Sequence, residues 1–318
     1  MLNHNRENLH AKTGSAKAGV WAVCLVVVPF LLTACGDASP WERHTDVTDS
    51  NLEVVYYDGA GTAWIGGRLG TLIRYEGEGV FEPVETGTLQ SIRAIHGSGP
   101  GDVWIAGDGG LLLRYDGLEL QQQDAPTEDD FEALWVFSSS DIFLLTATKE
   151  YRGAPGAWVE LDLDGTFDTL WAFGPNDIWL IQSLGDFAHW NGTTWESVDH
   201  GLPGVQLWYD VWGTATEFWV VGSYLGNDAD WVLHYAGGVF EAEQIDWVGD
   251  VHATAAITGT GPTDLYRVGS FGFSARFDGT RWKTIAPPYD YDIVKDVAVT
   301  ATEVIAICES GVVWTMPR

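Results

Sequence analysis

The feature that most constrains this chain is a stretch that returns about every 40 residues. Its cleanest copy, residues 96–117, reads HGSGPGDVWIAGDGGLLLRYDG. The order is a strand end, a Gly/Pro turn, the strand DVWIAG, a Gly turn, the strand LLLRY and a turn at Asp116-Gly117. That describes consecutive antiparallel strands joined by tight turns. The aromatic of DVWIAG marks the other copies: Trp64, Trp104, Phe143, Trp179, Trp219, Tyr266 and, with an aliphatic substitute, Ile305. Successive spacings are 40, 39, 36, 40, 47 and 39 residues. About four strands per unit at this period predict an all-β chain, a seven-bladed β-propeller of four-stranded antiparallel blades.

The predicted blades run about 51–87, 88–129, 130–169, 170–205, 206–249, 250–291 and 292–318. In the third, ALWVF, DIFLLT, AWVELD and a short strand around Phe167 supply the strands. The last unit offers only three strands before the chain stops. Near the other end, Trp41-Glu42-Arg43-His44 resembles the fourth-strand copies Trp195-Glu196-Ser197-Val198 and Trp282-Lys283-Thr284-Ile285. Residues 41–50 are therefore expected to close the ring, with Trp41–Thr45 pairing to a strand around Val312–Met316 and protecting its edge.

The amino terminus reads as an address. Residues 1–19 are polar with scattered positive charge, Val20 to Leu32 are an apolar run, and Leu32-Thr33-Ala34-Cys35 follows. A basic region, a short apolar region and small residues before a cleavage point make an export signal. Leu-Thr-Ala-Cys resembles the bacterial lipobox, which implies a signal peptide over 1–34, acylation of Cys35 and a lipidated tether over 35–40. Acyl chains at ~0.8 kcal/mol per buried methylene give stable membrane attachment. Of the other cysteines, Cys24 lies in the leader, and Cys308 follows an apolar run and reads as a small buried hydrophobe.

Net charge is −29. Residues 1–34 hold three basic residues and one acid, so the rest carries 13 Lys+Arg against 44 Asp+Glu, or −31. Such a surface repels phosphate backbones and excludes nucleic acid as a partner, while leaving cationic partners open. The acid two residues before six of the seven markers (Asp102, Asp141, Asp177, Glu217, Asp264, Glu303) reads as a turn device bonding nearby backbone amides. A basic residue before the aromatic of the third strand (Arg74, Arg114, His189, His234, Arg276) reads as a partner for scaffold acids.

These motifs resemble the repeats of bacterial surface lipoproteins abundant in myxobacteria, approximately WGSGPNDVWAVG followed by LHYDGTAW. The matching text is GSGPGDVWIAGDGGLLLRYDG, FGPNDIWLIQ, HWNGTTW, VWGTATEFWVVG and RFDGTRW. The resemblance spans roughly residues 50–318 and implies architecture; it carries over no catalytic residue. Asp278-Gly279 and Asn191-Gly192 lack the spacer of sialidase Asp-boxes, and the dipeptides of WD repeats are absent.

No catalytic constellation, cofactor motif or metal-ligand spacing stands out. Asp228-Ala229-Asp230 is a fragment of a calcium loop and leaves only weak divalent cation binding open. The reading is a lipid-anchored extracytoplasmic propeller, at the outer membrane or cell surface, that binds an envelope protein, peptide or glycan. The alternatives are a structural envelope spacer, a sialidase-like carbohydrate-active enzyme and a pilus-associated adhesin. Letting the strands of a blade run a to d outward, b–c loops and d–a crossovers share one face. The irregular segments of that face supply the candidate ligand residues: Tyr151, Arg152, His200, Tyr224, Asp228, Asp230, Trp231, Tyr289 and Tyr291.

Overall fold

In a computed structural model, the described residues are 39–318 apart from 162, 164, 186, 205, 225–229, 246–253 and 286–291. Among them are seven four-stranded antiparallel sheets, each built from strands consecutive in sequence except the last. Cys35, Asp228, Tyr289 and Tyr291 lie outside the described residues.

The seven a strands are Leu52–Tyr57, Ile92–Gly99, Phe131–Ser138, Thr169–Gly174, Gln206–Gly213, Thr254–Gly261 and Val294–Val299. Each contacts the a strand before and after it, and the last meets the first, so they form the inner wall of a closed ring. Strand b is the most buried of every blade, and its marker residue is buried in all seven copies. The markers wedge against the next blade: Trp64 lies 4.9 Å from Tyr115, and Trp179 lies 4.5 Å from Tyr235. Each such side chain removed from water contributes roughly 2–3 kcal/mol. The glycine three residues after the marker also has a steric cause. At Gly107 a Cβ would lie 1.9 Å from the Ser91 carbonyl oxygen.

The ring closes as the sequence predicts. Glu42–His44 pairs antiparallel with the final strand, Val313–Pro317, with Arg43 opposite Trp314. Trp41 is 8% exposed, and its indole nitrogen donates to Ser274 Oγ of the sixth blade at 3.2 Å. Arg43 pairs with Asp292 at 3.1 Å, and the His44 ring meets Phe81 of the first blade at 5.1 Å. One short strand thus joins the sixth, seventh and first blades. Cys308 is buried, and burial pushes its thiol up to about 12.

The third blade departs from its expected strands. Its strand c is Glu150–Gly153 and its strand d is Val159–Leu161, so AWVELD supplies the outer strand and Phe167 lies in no strand. Arg152 therefore faces Phe143 in the register that places Arg114 opposite Trp104 and His189 opposite Trp179. It supplies the missing third-blade member of the basic series.

The acids before the markers hold side chains rather than backbone amides. Asp102 accepts from Arg114 at 2.7 Å and from the Trp104 indole at 2.9 Å. Asp141 receives Arg152 through two 2.8 Å bonds, Asp177 meets His189 at 2.7 Å, and Glu217 meets His234 at 2.8 Å. Backbone amides are capped instead by the c–d turn residue. Asp116 Oδ1 accepts from the Leu118 and Glu119 amides, and Asp278 Oδ1 from Thr280 and Arg281.

One core position breaks the pattern. Glu150 is 2% exposed where the other blades place Leu72, Leu112, Phe187, Val232, Ser274 and Val313. Burial pushes its carboxyl up to about 7. A carboxyl raised in the fold favours folding fully below its unfolded value, and the contribution is lost as pH rises between about 4.5 and 7. Glu150→Leu is expected to raise the melting temperature by about 3–6 °C at pH 8 and to flatten its fall above pH 5. Thermal denaturation from pH 4 to 8 checks this; an unchanged pH profile would show that the carboxyl ionises freely.

Candidate functional site: the central channel

The a strands present their free edges and alternating side chains to a central cavity of about 630 Å³. In six blades the register between strands a and b slips by one residue near the start of strand a, a β-bulge. This geometry divides the wall into levels.

At the bulge level, near the b–c and d–a face, stand Glu53, Arg93, Glu132, Asp168, Tyr209 and Lys295. Most are paired along the rim. Arg93 meets Glu132 at 3.2 Å and also binds Asp108; Lys295 meets Glu309 at 3.2 Å and Glu53 at 3.8 Å. Asp168 accepts from Ser183 Oγ at 2.6 Å. Tyr209, 43% exposed, shares a 2.6 Å hydrogen bond with Ser223.

One residue further along each strand, most blades carry a small or aliphatic residue: Val54, Ala94, Ala133, Thr169 and Ala256. The fifth and seventh carry Asp210 and Asp296. Asp210 accepts from the amides of Ile257 and Val211, each at 2.8 Å. Asp296 accepts from Val55 at 2.8 Å and Val297 at 2.7 Å. Each thus caps an otherwise open edge amide of the following blade. Burial raises both carboxyls above the usual range, and the charge of Asp296 adds to the rise at Asp210.

Two residues beyond, on the same face of the strand, lies an aromatic belt. Five consecutive blades supply Tyr56, His96, Trp135, Trp171 and Trp212, and the remaining two supply Thr258 and Ala298. The rings touch in sequence, with centroids 5.2 Å apart for Tyr56–His96, 4.3 Å for His96–Trp135, 5.0 Å for Trp135–Trp171 and 6.4 Å for Trp171–Trp212. All five are half-buried and line the cavity. Tyr56 donates to the Gly97 carbonyl at 2.9 Å, and burial pushes its hydroxyl up to about 12. The Val136 amide donates to His96 Nδ1 at 3.1 Å. Burial holds that imidazole down to about 3, so it stays neutral with its proton on Nε2. The Trp171 indole nitrogen is buried with no hydrogen-bond partner.

The residues expected at the decorated face fare differently. Tyr151 and Arg152 belong to a strand, not a loop; Tyr151 is core, and Arg152 is the scaffold partner of Asp141. The short run Glu150–Gly153 hides its strand character because an acid occupies its core position. His200 does lie in a crossover but is buried against Phe187 and Trp208. Tyr224 ends strand b of the fifth blade, half-buried. Asp230 opens strand c and accepts from Thr254 Oγ1 at 2.8 Å, and Trp231 packs against the core between the fourth and fifth blades. Of the described ones, His200 and Trp231 pack on the same cluster, with Phe187 and Trp208, whereas Tyr151 and Arg152 belong to the third blade. The belt was available in the sequence: each member stands eight residues before its marker, or seven for Trp212. Among the described residues no group of three or more His, Cys, Asp or Glu is placed to hold a metal ion.

No family model and no curated protein matches the chain. Solved structures do. YCF48 bound to D1 peptide is 14% identical with a TM-score of 0.70, covering 89% of this chain and 98% of that one. A catalytically inactive variant of virginiamycin B lyase from Staphylococcus aureus, with quinupristin, is 12% identical with a TM-score of 0.70, covering 87% and 99%. The WD40 propeller domain of Doa1 is 11% identical with a TM-score of 0.65, covering 85% and 94%. At these identities the likeness is one of fold: the chain is similar to β-propellers.

Proposed function

We propose that this chain is a lipid-anchored, extracytoplasmic binding module that takes its ligand, an envelope protein, peptide or glycan, at the central channel. The observation that carries the reading is the half-buried aromatic belt. Its rings leave apolar surface inside an open cavity rather than in the core, and a cavity of this size whose wall combines aromatic rings with placed polar groups suits ligand binding. Attachment rests on the sequence Leu32-Thr33-Ala34-Cys35, and the extracytoplasmic location on the export signal before it. YCF48, a propeller of the same form, is bound to D1 peptide in its structure, which makes a peptide the first ligand class to test.

The test uses the Cys35→Ser chain as bait on envelope fractions. Without the acylation site it is expected in the aqueous phase; retention in the membrane pellet after alkaline washing would refute lipid attachment. The bait is expected to retain a partner that the Cys35→Ser chain carrying Trp171→Leu releases at least ~10-fold more readily, since a buried aromatic anchor is worth 2 kcal/mol or more. Equal retention by both baits would remove the channel from the binding surface.

A further inference from the structure

We propose that the channel recognises an organic ammonium group, with the aromatic belt and the carboxylates of Asp210 and Asp296 as its two recognition elements. This deepens the channel-binding reading above and rests on it.

The two elements overlap at the fifth blade, which carries both Trp212 and Asp210. The aromatic rings come from the first five blades; on the sixth and seventh the belt level falls to Thr258 and Ala298. The carboxylates come from the fifth and seventh blades, on either side of the sixth, so Asp210 stands beside the last ring and Asp296 within the gap. Aspartate and belt residue are two positions apart on one strand, a separation of roughly 7 Å, about the width of a methylated ammonium and its contact shell. A cation in the channel therefore meets aromatic surface on one side and carboxylate on the other.

Charge points the same way. Asp210 and Asp296 stand where the other blades place small or aliphatic residues, and among the described residues neither is paired with a lysine or arginine. The nearby cations of the rim are engaged elsewhere, Arg93 with Glu132 and Asp108 and Lys295 with Glu309. Each aspartate oxygen accepts one backbone amide, which leaves a lone pair on every oxygen for a further donor or a positive charge. Burial, and at Asp210 the nearby Asp296, favour the protonated carboxyls in the free channel, and a bound cation shifts them toward the ionised form. Rings of Trp and Tyr add cation–π attraction, which is stronger where water is excluded. An uncharged apolar ligand would meet the belt alone and leave the carboxylates uncompensated.

The ammonium can come from a lysine side chain of a peptide or from a free quaternary amine, and the experiment separates them. The full chain, in detergent micelles, is titrated calorimetrically with choline, with its neutral isostere 3,3-dimethylbutan-1-ol and with N-acetyl-lysine methylamide. Choline or the lysine derivative is expected to bind at least ~10-fold more tightly than the isostere. Preference for the lysine derivative identifies a peptide side chain as the source, and preference for choline a methylated amine. The isosteric pair Asp210→Asn with Asp296→Asn is expected to weaken the cation about 10-fold without affecting the isostere. Trp135→Leu, checked for an unchanged melting temperature, is expected to weaken it similarly and remains informative if the double variant does not fold. Equal affinity for choline and the isostere, or no heat from either cation at about 20 mM, would overturn the ammonium assignment. A partner still lost through Trp171→Leu would then leave the channel reading itself standing.

Discussion

A chain lacking residues 41–48 melts at least about 10 °C below the intact protein and associates at concentrations where the intact protein does not. The magnitude follows from what the closing strand does. Trp41 is buried among Tyr266, Val268, Val294 and Trp314, and truncating a buried Trp typically costs 3–5 kcal/mol. For a domain of this size each kcal/mol moves the midpoint by roughly 2–4 °C. The deletion also removes the Arg43–Asp292 pair and the ladder to Val313, Trp314 and Thr315. That strand then becomes an unpaired apolar edge, a template for another chain. Trp41→Ala alone is expected to produce most of the shift, whereas Asp49→Ala should leave the midpoint within about 1 °C. Scanning calorimetry and light scattering measure both effects. An unshifted midpoint on deletion would mean that the seventh blade holds without its fourth strand.

The fold was legible because its determinants are periodic. A marker aromatic every 40 residues or so, with an acid two residues before it, survives local variation, and the likeness of Trp41-Glu42-Arg43-His44 to other fourth strands exposed the closure. Where a core position changes character, the reading slipped. Glu150 in place of a leucine or phenylalanine made Glu150–Gly153 look like a loop, and Tyr151 and Arg152 were assigned to a ligand face although one is core and the other a scaffold ion pair.

The channel was harder to read for two physical reasons. An inner edge strand and a fully buried strand show the same alternation, so the sequence does not say that Trp135 and Trp171 keep surface in a cavity. The bulge near the start of strand a also shifts the alternation by one residue, which hides that Asp210 and Asp296 share a level with Ala94 and Ala133. Treating every recurring residue as scaffold then discarded the belt, which recurs in five blades because the wall of the site is built from the repeat itself.

The central claim is that ligand is taken at the channel, and photocrosslinking tests it most directly. p-Benzoylphenylalanine would replace Tyr209 at the channel mouth, 43% exposed, or Leu118 in the c–d turn of the second blade, 91% exposed. Both positions reach solvent, and exposure alone favours position 118. On irradiation with envelope fractions, position 209 is expected to give a discrete adduct that Trp171→Leu abolishes, and position 118 none. An adduct from position 118, with none from 209, would place binding on the short-turn face and contradict the account.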